Sequence, residues 1–132
     1  MRNFITVKYL RGPEHPGKLR VVRALARTVI PENGIAVSVG EGVSLYLHPR
    51  DWIEYLLLRG NPYEPLTLQF LRANLLPGDG AVLAGVNFGL HVAVAASAVS
   101  ESGRVVGVEP QPAALLRARP EPRATTGRSR CR

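Results

Sequence analysis

Two short apolar runs, residues 81–85 and Arg104–Val108, stand on either side of an alanine-rich segment, Leu90–Val99. Each run has the length of a strand and little polar alternation, so each reads as a strand buried on both faces. The segment between them is apolar almost all round, which suits a helix packed closely against a sheet. Gly85-Val86-Asn87-Phe88-Gly89 carries the chain from the first strand into this helix, and Ser100-Glu101-Ser102-Gly103 returns it to the second. Strand, glycine turn, helix, strand is a βαβ unit, whose two strands run parallel with a right-handed crossover. The fold class is therefore α/β.

A βαβ unit places ligands at the carboxyl ends of its strands. Two features stand there. Gly85 and Gly89 flank the passage from strand into helix, where the lack of Cβ lets a ligand approach the backbone and the helix start offers free amides. Glu109 follows the second strand, 24 positions after Gly85. An acid at that place, about 20 residues past a glycine turn, can accept hydrogen bonds from ribose hydroxyls. Glycines used only for packing, and an acid that only caps a strand, are the structural alternatives. The spacing is not Gly-x-Gly-x-x-Gly, because Asn87 follows Val86. That disfavours a pyrophosphate-bearing dinucleotide and leaves a ligand with one nucleoside.

Together with Pro77-Gly78-Asp79-Gly80 and the run Gly103-Arg104-Val105-Val106-Gly107-Val108-Glu109-Pro110, these residues resemble the first half of an FkbM-family methyltransferase. Gly60-Asn61-Pro62-Tyr63-Glu64-Pro65 is similar to that family's Gly-x-x-Tyr-Glu-Pro segment, and the likeness spans roughly residues 43–118. It implies an incomplete Rossmann-like fold dependent on S-adenosylmethionine (SAM), with an N-terminal helix and β-hairpin, and transfer of methyl to an oxygen of a small molecule or carbohydrate. By the same likeness Gly85, Asn87 and Gly89 line the methionine and ribose region of SAM, Glu109 holds the ribose hydroxyls, and Glu64 contributes to the pocket. No catalytic base is implied. One departure concerns Leu83, where the family carries an acid that organises the turn and the charged end of the cofactor.

The rest of the chain reads as smaller elements. Residues 18–30 form an amphipathic helix, with Leu19, Val22, Ala26 and Val29 on one face and Arg20, Arg23 and Arg27 on the other. Residues 35–39 and Val43–Leu47 are strands of a hairpin about Gly40-Glu41-Gly42. Asp51 caps a helix over residues 52–59, ended by Gly60. Pro65 opens another that continues through residues 66–76, with Phe70 and Leu71 as core contacts. The expected organisation is residues 1–62 as helix, hairpin and short helix, 63–118 as the first βαβ part of a methyltransferase domain, and 119–132 as a disordered basic tail. The pattern stops within an expected helix over residues 113–118, so an out-of-frame or premature end of a longer gene is the favoured reading. A nucleic-acid-binding arm and a natural disordered tail are the others.

With 132 residues there is room for one small domain, and the single cysteine, Cys131, fits a reducing compartment. There is no apolar run of membrane-spanning length and no secretory signal, so the expected location is cytoplasmic, without membrane contact. The net charge is +7. Residues 1–27 carry seven Lys or Arg against one Glu, residues 28–116 four against eight acids, and residues 117–132 six Arg against one Glu. Basic ends of this kind bind phosphate chains in some proteins, but no aromatic residue interleaves the helical arginines, which makes nucleic acid an unlikely partner. A basic nucleic-acid-binding protein stays as an alternative, as does a non-catalytic interaction module with a relic Rossmann-like core. His15, His48 and His91 have no acid or cysteine at ligand spacing, so no metal site is expected. His91 is read as a structural histidine that could also face the ligand.

Overall fold

The computed structural model describes residues 2–40 and 43–118. The loop residues Glu41 and Gly42 and the basic tail expected over 119–132, Cys131 included, lie outside the described residues. The chain is a small mixed α/β structure with helices and two small sheets, and it divides into two compact units. One comprises Met1–Val37 with Tyr46–Tyr63, the other Ser38–Leu45 with Glu64–Arg132. Among the described residues no helix is long and apolar enough to cross a membrane.

The first unit holds α1 (Arg2–Arg11), α2 (Lys18–Thr28) and α3 (Trp52–Leu58). It also holds the base of the hairpin formed by β1 (Ile35–Gly40) and β2 (Val43–Leu47), which is a two-stranded sheet of its own. Leu10, Val22, Ala26, Ile30, Ile35, Leu47, Tyr55 and Leu58 are its buried apolar residues. The buried face of α2 is the one expected from its spacing, and Arg20, Arg23 and Arg27 are exposed. Asp51 caps α3 as expected, its Oδ1 accepting from the amides of Ile53 at 3.0 Å and Glu54 at 3.2 Å. Gly34 has φ +93, and a Cβ there would stand 2.6 Å from the Leu47 carbonyl oxygen, so the turn into β1 admits only glycine.

Helix α1 has no counterpart in the sequence reading, because its apolar and polar residues are not segregated onto faces. Its end is held from outside. Lys18, only 1% exposed, donates through Nζ to the Leu10 carbonyl at 2.9 Å and the Gly12 carbonyl at 2.7 Å. The ammonium thus satisfies carbonyls that the end of α1 leaves unpaired and lies at the negative end of its dipole. Glu14 stands 3.5 Å from Lys18 Nζ, and its carboxylate also pairs with Arg59 at 2.6 Å, so the buried cation has its counter-charge.

The second unit contains α4 (Pro65–Asn74), β3 (Gly80–Ala84), α5 (Leu90–Val99), β4 (Arg104–Val108) and α6 (Pro112–Arg117). β3 and β4 pair in parallel, Ala81 opposite Val105 and Leu83 opposite Gly107, with α5 as the connection. Val86, Val92, Ala95, Val99, Val105 and Ala118 form the core, and Ala81 and Leu83 pack against it. A Cβ on Gly107 would stand 2.6 Å from a Val86 methyl, which sets how closely β4 meets the glycine turn. Asp79 fixes the entry to β3: its Oδ2 accepts from the Leu76 amide at 2.8 Å and its carbonyl accepts from the Arg104 amide at 2.9 Å.

Two expectations are corrected here. β3 and β4 are buried on one face only, with Val82 77% and Val108 51% exposed. Their sheet has two strands among the described residues, and the hairpin forms a separate sheet. Phe70 is 65% exposed, because α4 turns its Phe70 face to solvent and keeps Leu71 half-buried.

Replacing Lys18 with Met should leave the carbonyls of Leu10 and Gly12 without a donor and lower stability by about 1–3 kcal/mol. Arg20→Met, at an exposed position on the same helix, should change it by less than about 0.5 kcal/mol. Urea unfolding of both variants checks this.

Candidate functional site

The parallel ladder runs one residue past β3, with the Gly85 amide donating to the Val108 carbonyl at 2.8 Å. The chain then folds sharply. Gly85 has φ +78, Asn87 φ +50 and Gly89 φ +94, all in the left-handed region. Glycine adopts that region freely, and asparagine more readily than most other residues. The two glycines serve different ends. A Cβ on Gly89 would stand 2.9 Å from the Ala118 carbonyl oxygen, so Gly89 closes α5 against the end of α6. A Cβ on Gly85 would meet nothing within 4 Å, so that backbone faces open space.

Glu109, at the carboxyl end of β4, is tied to this turn. Its Oε2 accepts from the Asn87 amide at 2.8 Å and its Oε1 from the Gln111 amide at 3.1 Å. These bonds favour the charged form and hold the carboxyl below its ordinary value of 4.5. The Asn87 amide contributes most, then that of Gln111, and the Val86 amide adds a smaller share against the opposing effect of partial burial. One side chain thus links the end of β4 to the left-handed turn after β3.

Glu64 lies in the same unit. It precedes Pro65 at the start of α4, with φ 45 and ψ 52, and its side chain does not cap its own helix. Instead its Oε2 stands 3.1 Å from Nε2 of His91, in the first turn of α5. Helical side chains lean toward the amino end of the helix, so His91 is directed back toward the glycine turn.

The structure therefore gathers the expected residues onto one short segment. Asn87 receives Glu109, and His91, four residues on, receives Glu64. The sequence reading missed the Glu64–His91 contact; the only signal available was the position of His91 in the first turn after the glycines. Leu83 packs into the core, so its side chain places no charge at the turn. Among the described residues no three His, Cys, Asp or Glu side chains gather as a metal site would require.

Acid should act on this site with a definite sign. Glu109 has a folded pKa below its unfolded one, so it contributes stability above about pH 4.5, lost as pH falls through the lower folded value. Glu109→Gln should flatten that part of the acid limb, measured as the urea midpoint between neutral pH and pH of about 3. Superimposable acid limbs would contradict the assignment.

No protein-family model matches this chain, and no curated protein matches it.

Proposed function

We propose that the second unit is the cofactor-binding βαβ portion of a Rossmann-like, SAM-dependent methyltransferase acting on an oxygen of a small molecule or carbohydrate. The observation that carries this reading is the Glu109 carboxylate at the end of β4, bonded to the Asn87 amide beside the open backbone of Gly85. A carboxylate has about four lone-pair positions. The backbone bonds to Glu109 engage one oxygen each in the bonds from Asn87 and Gln111, leaving acceptor capacity for two vicinal ribose hydroxyls. The resemblance in sequence assigns the same residue to the same task.

The residues fit such a cofactor. Gly85 leaves its backbone open to a ligand, since nothing stands within 4 Å of where a Cβ would be, and Glu109 takes the ribose. Asn87 holds the left-handed bend that presents its amide to Glu109. When bound, SAM supplies an electrophilic methyl on a sulfonium, which an acceptor oxygen takes as it loses its proton and the sulfonium becomes a thioether. The chain's contribution is to fix the nucleoside and orient it, the positioning share of catalysis. No described residue is assigned as the base.

A second reading, a relic core that serves as an interaction module, is favoured by Leu83, which packs among apolar residues where the family carries an acid. Calorimetric titration of SAM separates the two. The methyltransferase reading expects saturable binding, weakened about tenfold or more by Glu109→Ala as charge-assisted hydrogen bonds are lost. Circular dichroism melts of both proteins establish that each is folded. No binding by the folded chain would leave the interaction module. Binding of any DNA that falls steeply with salt would instead point to the exposed arginines of α2.

A further inference from the structure

The outer face of α2 carries Arg20, Arg23 and Arg27, all exposed and set three and four residues apart. They form one row along about 10 Å of the helix axis, and like charges at those spacings repel. Among the described residues none of the three makes an ion pair or a side-chain hydrogen bond. The acids of the same unit are engaged elsewhere. Glu14 pairs with Arg59 and Lys18, and Asp51 accepts from two amides of α3. The buried Glu54 accepts from the His48 amide, which leaves Glu32, in the turn before β1, as the one described acid of the unit without such a partner. Each exposed guanidinium offers a fork of N–H donors that matches a phosphate.

In sequence no aromatic residue interleaves these arginines; the fold supplies one. Arg50, 24 residues away in the chain, donates through Nη2 to the Ala26 carbonyl at 3.3 Å, beside Arg27. That bond pins the segment before α3 to the last turn of α2. Trp52 stands two positions on, at the start of α3, and is 61% exposed. Its ring packs against that of the buried Tyr55, with centroids 5.6 Å apart. An indole seated on a buried ring, and open over most of its surface, is a platform for a planar base. The apolar face of α2 lies in the core of the unit, with Val22 and Ala26 buried, so this helix has no apolar face to lay into lipid.

We propose that the outer face of α2, continued by Trp52, is a docking surface for single-stranded nucleic acid. Phosphates sit on Arg20, Arg23 and Arg27, and an unpaired base stacks on Trp52. Arg50 is a positioning residue that holds the tryptophan segment to the arginine row. The inference rests on the first unit alone, so its outcome and that of the SAM titration are independent.

The test uses the full chain and a labelled single strand of oligothymidylate, about 12 nucleotides long, followed by fluorescence anisotropy over a range of salt. Trp52 is the only tryptophan of the sequence, so its own fluorescence reports stacking directly. The wild type should bind saturably with quenching of that fluorescence, and more weakly to a duplex of the same length. Replacing Arg20, Arg23 and Arg27 together by Gln should weaken binding and reduce the slope of log affinity against log salt by about 2, the share of three phosphate contacts. Trp52→Ala should weaken binding about tenfold at every salt concentration with the slope unchanged, and Trp52→Phe should restore most of the loss. Circular dichroism melts establish that each variant is folded. An unchanged salt slope in the triple variant would overturn the inference, since the arginine row would then touch no phosphate. Equal binding of single strand and duplex without quenching would overturn the role of Trp52. Binding to vesicles of anionic phospholipid but not to the oligonucleotide, or no binding to either, would overturn the whole.

Discussion

The hydrogen bond from the Asn87 amide to Glu109 joins the two parts of the second unit that a ligand would need together. Without it, the end of β4 and the turn after β3 would be related only through the ladder and the packing beneath them. With it, a charged side chain holds a left-handed turn in place from the outside, and Gly107 and Val86 set the spacing from the inside. An unpaired carboxylate in that half-buried place would cost free energy, and so would an unpaired amide. Each satisfies the other, and the open backbone of Gly85 lies beside them.

How far the sequence foretells this depends on the scale of the feature. The strand, turn, helix, strand order was legible because apolar runs of that length and an alanine-rich segment between them leave few alternatives, and glycines mark the joints. Glu109 was legible as a residue placed at a strand end. That β3 is covered on one face only was not, because an apolar strand looks the same whether one face or both is covered. Phe70 failed for a related reason: an aromatic at helical spacing suits a core, but on α4 its face is turned to solvent. The Glu64–His91 contact was out of reach, since it depends on a left-handed backbone at a residue type that seldom adopts one.

The first unit teaches the converse lesson about charge. Its excess of basic residues reads as a solvated or anion-binding face, and for Arg20, Arg23 and Arg27 exposure agrees with that. Lys18, from the same run, is buried and closes the end of a helix that the sequence pattern does not announce. Net charge therefore overstates the surface available to a phosphate chain, because one cation of the run is spent on backbone carbonyls and paired with Glu14. In the second unit Asp79 and Glu109 are likewise engaged by backbone amides.

The central claim is that a nucleoside ligand seats on the segment between Gly85 and His91 with Glu109 as its anchor. The most direct measurement is a titration of isotopically labelled protein with SAM, followed by the backbone amide resonances. The account predicts saturable shifts at Gly85, Asn87 and Gln111, whose amides belong to the turn or to the carboxylate that would take the ribose, and none along α2. A folded chain whose Asn87 and Gln111 resonances stay fixed at saturating SAM would contradict it.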